Sequence, residues 1–405
     1  MRINAPAAYV ILYALMYAAF GVASPFWPEY FRAKALSSQE IGLVLGAAMV
    51  VRLGAGPLVG RLADICHALR AALAGCAALA AAMAAALVLA NSFVVLLCVA
   101  LAQAAALAPI TSIADALSVS AARPEIAGKP FEYGWIRGAA SAAFASGTII
   151  VGQFIQPDHL DPVVWLNAML LVAASGATAL LPPVRALGEP RASKSADLFA
   201  MHPLFRIARF RSVLLVSALV YGSHAMHDAF AVIRWSDSGI DAPVISLLWS
   251  EAVAAEVVVF FLVGPALVDH LGARGAASVA ALAGVVRWMV AGSTTSVLLL
   301  SVVQPLHGLT FALLHLACMR ILGAVVPAHL SATAQTVYAF GSGLVTAVIT
   351  ALSGALYARY AGASFVAMAV LCAAALPFAW LGFGAGSPPP GGGLAKDRGP
   401  LNAPI

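Results

Sequence analysis

The sequence predicts an all-α membrane protein with twelve transmembrane helices in two six-helix halves. Three observations carry this. The 405-residue chain is 62% hydrophobic and 10% charged, with a mean hydropathy of +0.95. Its apolar residues fall in stretches of about 20 or more, the length that spans a bilayer as a helix. Its lysines and arginines gather in alternate connections between those stretches. The stretches are too long and too evenly apolar for strands of a membrane barrel.

The expected spans are 7–31, 39–60, 71–90, 93–119, 133–155, 162–181, 209–233, 243–268, 275–293, 296–322, 330–358 and 361–384. Residues 1–181 form the first half, and Pro182-Pro183 opens a polar central loop over 182–208 with Arg185, Arg191, Lys194 and Arg206. Residues 209–384 form the second half. The Pro/Gly-rich tail, 385–405, has the composition of a disordered segment. The first apolar segment is too long for a cleaved signal and reads as a retained helix.

Of the 22 Lys and Arg, only Arg32, Lys34, Arg234 and Arg359 fall on one side of this topology, and Arg52, Arg137 and Arg287 lie within spans. The rest fall on the side of the termini. That bias places both termini and the central loop in the cytoplasm and accounts for the pI of 9.1 without nucleic acid. The five cysteines are odd in number and scattered, with no metal-ligand spacing, and read as packing residues. His224, His227 and Asp228 share a helix face, but no second ligand cluster matches them, so no metal is expected. A Walker loop, Gly-x-Ser-x-Gly and His-Glu-x-x-His are all missing, which argues against ATP-driven transport and the common membrane hydrolases.

Ionisable residues stranded in the spans are the main functional signal, since each charge at a bilayer centre costs about 2.5–3.5 kcal/mol on the insertion scale. Helix rise puts Glu256 and Arg287 about 18 Å from the cytoplasmic face and His224 and His307 about 21–22 Å from it. These four make a midplane group suited to a substrate site, or alternatively a static ion pair with backbone-bonded histidines. Asp115 and Arg137 make a second pair about 6 Å from that face, either a substrate-responsive bridge or a solvated boundary pair. His315 stands two turns beyond His307, as a second station on a path. Phe144, Trp249, Trp288, Phe311 and Tyr338 could line an aromatic pocket or serve as packing.

Two connections repeat at half the chain length. Gly60-Arg61-Leu62-Ala63-Asp64 with Arg70 is matched by Asp269 to Arg274, and Asp64 and Asp269 lie 205 residues apart. A carboxylate and an arginine beside a tight turn can latch neighbouring helices, so Asp64, Arg70, Asp269 and Arg274 are the candidate conformational latch.

On these motifs the chain resembles the major facilitator superfamily, whose fold is two six-helix halves around a central cavity. Cys66 to Leu69 stand where that family carries glycine and arginine. Phe131 to Arg137 looks like the opening of the fifth helix in lactose-permease-like proton symporters. That likeness implies that Arg137 binds substrate, with Asp115 as its carboxylate partner. Phe144 stands where the sugar transporter has a ring-stacking tryptophan, which argues against galactosides. Gly222 to Ala225, Leu248 to Val257, Gly284 to Trp288 and Gln304 to Arg320 are similar to the 3-phenylpropionate permease family.

The expected function is proton-coupled symport of a small organic, aromatic monocarboxylate by alternating access, in a monomer driven by the proton gradient without a bound cofactor. Asp115, Arg137, Phe144, His224, Arg287 and His307 would contact substrate, with Arg137 or Arg287 holding the carboxylate. Glu256 would carry the proton: burial and a neighbouring guanidinium act on a carboxyl in opposite senses, so its protonation can follow the direction the cavity faces. His307 or His315 would relay the proton. The alternatives are a sugar or nucleoside symporter or a drug exporter on the same scaffold, or a non-transporting membrane sensor. An enzyme is not expected.

Overall fold

The computed structural model describes residues 5–121, 133–156, 159–182 and 202–384. The likeness around Phe131 and Glu132, most of the central loop and the tail lie outside these residues. Among the described residues the chain is helical, with one isolated bridge between Gln156 and His159 and no strand.

The first part of the chain forms α1 (Ala5–Ala23), α2 (Trp27–Ala33), α3 (Ser38–Ile65), α4 (Leu69–Leu89), α5 (Phe93–Leu107), α6 (Ile110–Ala121), α7 (Tyr133–Gly152) and α8 (Asp161–Ala177). The second forms α9 (His202–Arg206), α10 (Ala208–Gly222), α11 (Ala225–Asp237), α12 (Ala242–Val258), α13 (Gly264–Ser293), α14 (Val297–Val303), α15 (Leu306–Gly308), α16 (Leu314–Val325), α17 (Ser331–Tyr360) and α18 (Phe365–Gly382). A π-helical segment, Val259–Val263, joins α12 to α13, and another, Leu309–Leu313, joins α15 to α16.

Among the described residues, eight helical runs are long and apolar enough to cross a membrane, so this is a multi-pass membrane protein. Two of the runs are 52 and 55 residues long and fold back on themselves. The first turns at Gly272, whose φ of +66° suits a residue without Cβ. The second turns at Ala361, with φ +46°. Bilayer-facing character is plain on the outer surface, where Leu89, Leu262, Leu298 and Leu381 are largely exposed.

Several expected single spans are broken. Pro28, Pro109 and Pro305 each sit where one helix gives way to the next, because proline has no N–H for the preceding turn. The break at Ser223 and His224 has no proline. α3 starts cleanly on a capping box, the Ser37 hydroxyl accepting from the Glu40 amide at 3.3 Å and the Glu40 carboxylate accepting from the Ser37 amide at 2.8 Å.

The two parts of the chain meet mainly through α3 against α17 and α7 against α12. Gly42 and Gly46, one turn apart, let α3 approach α17 so closely that a Cβ would lie 2.8 Å from the Gly354 nitrogen or 2.7 Å from the Ala347 carbonyl oxygen. Gly152 meets Ser246 at the matching end of the other pair. Arg32 of α2 reaches Asp237 at the end of α11 as well as Glu29. Arg32 to Asp237 and Ser236, Ser250 to Ala145 and Thr350 to Met49 join the two parts on the half of the helices toward this Arg32 end. It is the end away from the central linker.

Candidate functional site

The site begins at the break between α10 and α11. His224 caps α11, and its Nδ1 lies 3.1 Å from the Val220 carbonyl oxygen. A carbonyl only accepts, so Nδ1 carries the proton and Nε2 accepts from the Thr310 hydroxyl at 2.9 Å. Ser223, in the same break, accepts from the Trp288 indole at 2.8 Å. The backbone break thus delivers two side chains into the space between α13 and the π segment Leu309–Leu313.

Arg287 of α13 is the centre of the cluster and is 1% exposed. Its guanidinium lies 4.5 Å from the Trp288 ring centre. Nη1 donates to His307 Nδ1 at 3.0 Å, and Nη2 donates to Gln304 Oε1 at 3.0 Å and to His227 Nε2 at 3.4 Å. The Gln304 amide is itself fixed by donating to the Leu248 carbonyl at 3.1 Å. His227 stacks on Trp249, ring centres 5.0 Å apart.

Arginine has five donors and no acceptor. Both histidine nitrogens facing Arg287 therefore accept, and in the neutral rings the protons sit on His307 Nε2 and His227 Nδ1. His307 Nε2 faces Glu256 Oε2 at 3.4 Å, and His227 Nδ1 faces Asp228 Oδ1 at 3.2 Å. Asp228, His227, Arg287, His307 and Glu256 form a continuous chain of five side chains from α11 through α13 and α15 to α12. Its two ends are the accessible ones: the Asp228 side chain is 57% exposed and that of Glu256 34%. One buried cation between two carboxylates is an arrangement whose charge state responds to whatever either end meets.

Asp228 opens on a cavity of about 580 Å³ between the two parts of the chain. Phe20, Trp27, Phe31 and Met49 supply its apolar wall, and Arg52, Gln103 and Asn167 its polar groups. Asn167 is held by donating to the Ala19 carbonyl at 2.8 Å. This is the size and character of a small-molecule site.

The first part of the chain contributes a second ionic group. Asp115 of α6 and Arg137 of α7 approach to 4.0 Å, each 38% exposed. The Tyr13 hydroxyl donates to Asp115 Oδ1 at 2.5 Å, and Arg137 donates to the Tyr17 hydroxyl and lies 5.3 Å from that ring. α1 thus holds both charges from behind through two stacked tyrosines.

The structure brings His224, Glu256, Arg287 and His307 together, and it pairs Asp115 with Arg137. It seals Arg287 among Gln304 and the histidines. Phe144 is half-buried, and its backbone carbonyl packs against Gly21 of α1. His315 lies 3.4 Å from the Tyr338 hydroxyl, which in turn lies 3.0 Å from that of Tyr221. At the repeated turns, Asp269 pairs with Arg320 at 2.5 Å, and Arg274 lies over Trp380. Arg70 reaches the Ala179 carbonyl, and Asp64 is exposed. Among the described residues, no group of three or more His, Cys, Asp or Glu is placed to hold a metal ion.

Arg52, Asp228 and Gln304 are the functional candidates the sequence reading left out. Arg52 carried the same signal as Arg287, a lone cation inside an apolar span. In sequence Asp228 stands out only as the third polar residue on the face of His224 and His227, and Gln304 is uncharged and carries no signal.

The family model described as "MFS_1 like family" matches residues 7–368. The chain is 30% identical over 367 residues to the probable 3-phenylpropionic acid transporter of Escherichia coli strain K12, covering 90% of this chain and 94% of that one. It is 20% identical over 304 residues to the uncharacterized transporter YwbF of Bacillus subtilis strain 168, covering 75% and 74%. Among solved structures, the nucleoside transporter NupG superposes with a TM-score of 0.81 at 17% identity, over 94% of this chain and 98% of that one. A bacterial homolog to the human lysosomal transporter Spinster, in its inward-facing and unoccupied conformation, does so with a TM-score of 0.71 at 16% identity, over 93% and 95%. These two structures share the fold.

Proposed function

The chain belongs to the MFS_1 like family of transporters, and on that premise we propose that it is a secondary active transporter coupling proton entry to uptake of a small aromatic monocarboxylate. The observation that carries this reading is the five-residue chain from Asp228 to Glu256, which meets the cavity at Asp228 and ends on an accessible carboxylate at each side. Glu256 is the proton-carrying group, and His307 presents its Nε2 proton toward it. Arg137, with Asp115, contributes to substrate binding. The aromatic monocarboxylate is inferred from the relative's name and from the apolar, aromatic wall of the cavity.

The frame is twelve helices in two halves, 1–181 and 209–384, joined by 182–208. The two doubled runs and the helices Tyr133–Gly152 and Ala208–Asp237 support that number. With both termini cytoplasmic in a bacterial inner membrane, the contacts at the Arg32 end close the outer side, and the cavity faces inward. Alternating access opens that end while the opposite ends of the halves come together around the site. The protein works as a monomer, powered by the proton gradient without a cofactor.

The test is reconstitution into proteoliposomes containing a pH-sensitive dye. Adding 3-phenylpropionate outside should carry protons into the lumen together with the acid, beyond the passive leak of protein-free vesicles. Saturable uptake with no proton movement would contradict coupling.

A further inference from the structure

Arg52 and Asp228 face the same cavity from different parts of the chain, Arg52 from α3 and Asp228 from α11. Both are exposed into it. Among the described residues Arg52 has no hydrogen bond or ion pair. A guanidinium in an apolar span, turned into a cavity and left without a carboxylate, is a costly arrangement unless an anion arrives to fill it. Asp228 differs. One oxygen accepts from His227 Nδ1 at 3.2 Å, which leaves its other oxygen as an acceptor toward the cavity.

The two charges do not lie within the 4.0 Å of an ion pair with each other. Counting along the helices from the Arg32 end, Arg52 lies about 21 Å down α3 from Ser38, and Asp228 about 13 Å down α11 from Asp237, at about 1.5 Å per residue. The offset along the axis is therefore about 7–8 Å. The same cavity is walled by the aromatic side chains Trp27 and Phe31 and the thioether of Met49. An anion receptor and an acceptor, offset within one cavity that has an apolar aromatic wall, describe the complement of a particular ligand.

We propose that Arg52 and Asp228 are the two polar ends of the substrate site, and that the site takes aryl carboxylates carrying a phenolic hydroxyl remote from the carboxylate. The carboxylate binds the Arg52 guanidinium, the ring lies against the aromatic wall, and the hydroxyl donates to Asp228. An α-amino acid is a poor fit, because its ammonium is adjacent to its carboxylate and cannot reach an acceptor at this separation. An unsubstituted arylalkanoate uses Arg52 alone and leaves Asp228 facing the ring. Asp228 is also one end of the chain to Glu256, so a hydroxyl docked there acts on the group that orients His227 and, through Arg287, on His307.

This inference rests on the carboxylate-transport reading and is tested separately from proton coupling. Equilibrium binding of radiolabelled 3-phenylpropionate and 3-(4-hydroxyphenyl)propionate is measured on the purified protein in detergent, without a gradient. The wild type should bind the hydroxylated acid about tenfold more tightly, the scale of one hydrogen bond to a charged group. In Asp228→Ala the ratio of the two affinities should fall to about one. Arg52→Gln should weaken both acids by about tenfold or more, and Arg52→Lys, which keeps the charge, should recover part of that loss. Size-exclusion profiles and thermal midpoints establish that each variant is folded, and a misfolded Arg52→Gln leaves the Lys variant and the Asp228 ratio to decide. Equal wild-type affinity for the two acids, a ratio unchanged in Asp228→Ala, or wild-type binding by Arg52→Gln each overturns the assignment. Wild-type binding of neither acid overturns it too, together with the aryl-carboxylate class. The predicted pattern without proton uptake in vesicles would leave the assignment standing and remove only the coupling.

Discussion

Arg287 donates to Nδ1 of His307 at 3.0 Å, and that contact turns the histidine's remaining nitrogen toward Glu256. A buried arginine thereby sets the tautomer of a half-buried histidine, which then points its proton at an accessible carboxylate. The arginine acts on the site through the histidines it orients.

Removing the guanidinium should therefore damage the fold as well as the function. Arg287→Ala leaves Gln304, His227 and His307 with unfilled hydrogen-bonding atoms in a sealed space, and each buried group left unsatisfied costs about 1–3 kcal/mol. Thermal unfolding of the purified protein should show a large drop in midpoint. Arg287→Lys should lose less, because it keeps the charge while losing the fork that holds two partners at once. An Arg287→Ala midpoint equal to wild type would show that the cluster does not hold the helices together.

His307 joins Arg287 to Glu256 and can be tested apart from both. His307→Ala should uncouple the transporter, with substrate exchange across vesicles persisting and gradient-driven accumulation lost. Counterflow and accumulation measured on the same vesicles separate the two. Accumulation at the wild-type level would exclude His307 from the path.

Much of this was legible in the sequence, and the limits have physical causes. Hydropathy showed a multi-pass helical protein because a bilayer-facing helix must be apolar along its whole length. It missed the break at Ser223 and His224, since the short Gly222-Ser223-His224 stretch does not lower the mean hydropathy of a span-length window enough to divide it. Helix rise put Glu256, Arg287, His224 and His307 at one level, because depth depends on position along one helix. Azimuth depends on how neighbouring helices pack. That is why Arg287, expected against substrate, is sealed, while Arg52 opens on the cavity. The Asp269–Arg320 pair joins two helices distant in sequence and has no local signature.

The contact of Arg32 with Asp237 is the most direct tie between the two parts of the chain. Replacing both by cysteine and oxidising should lock the Arg32 end shut and abolish transport, with a reductant restoring it. Cross-linked protein that transports at the wild-type rate would mean that this end need not open.

Gly46 tests the same movement without a covalent bond. A Cβ there would stand 2.7 Å from the Ala347 carbonyl oxygen. Gly46→Leu should hold α3 and α17 apart and favour the state open at that end. The expected result is faster labelling of a cysteine placed at Thr350, together with loss of net transport. Labelling unchanged from the glycine protein would contradict a closed contact at this position.

The central claim is that Glu256 carries the transported proton, and Glu256→Gln tests it most directly. Glutamine keeps the shape and an acceptor toward His307 but cannot ionise. In proteoliposomes with an imposed pH gradient, the variant should fail to accumulate 3-phenylpropionate while still exchanging it with substrate trapped inside. Accumulation at the wild-type level in the glutamine variant would contradict the account.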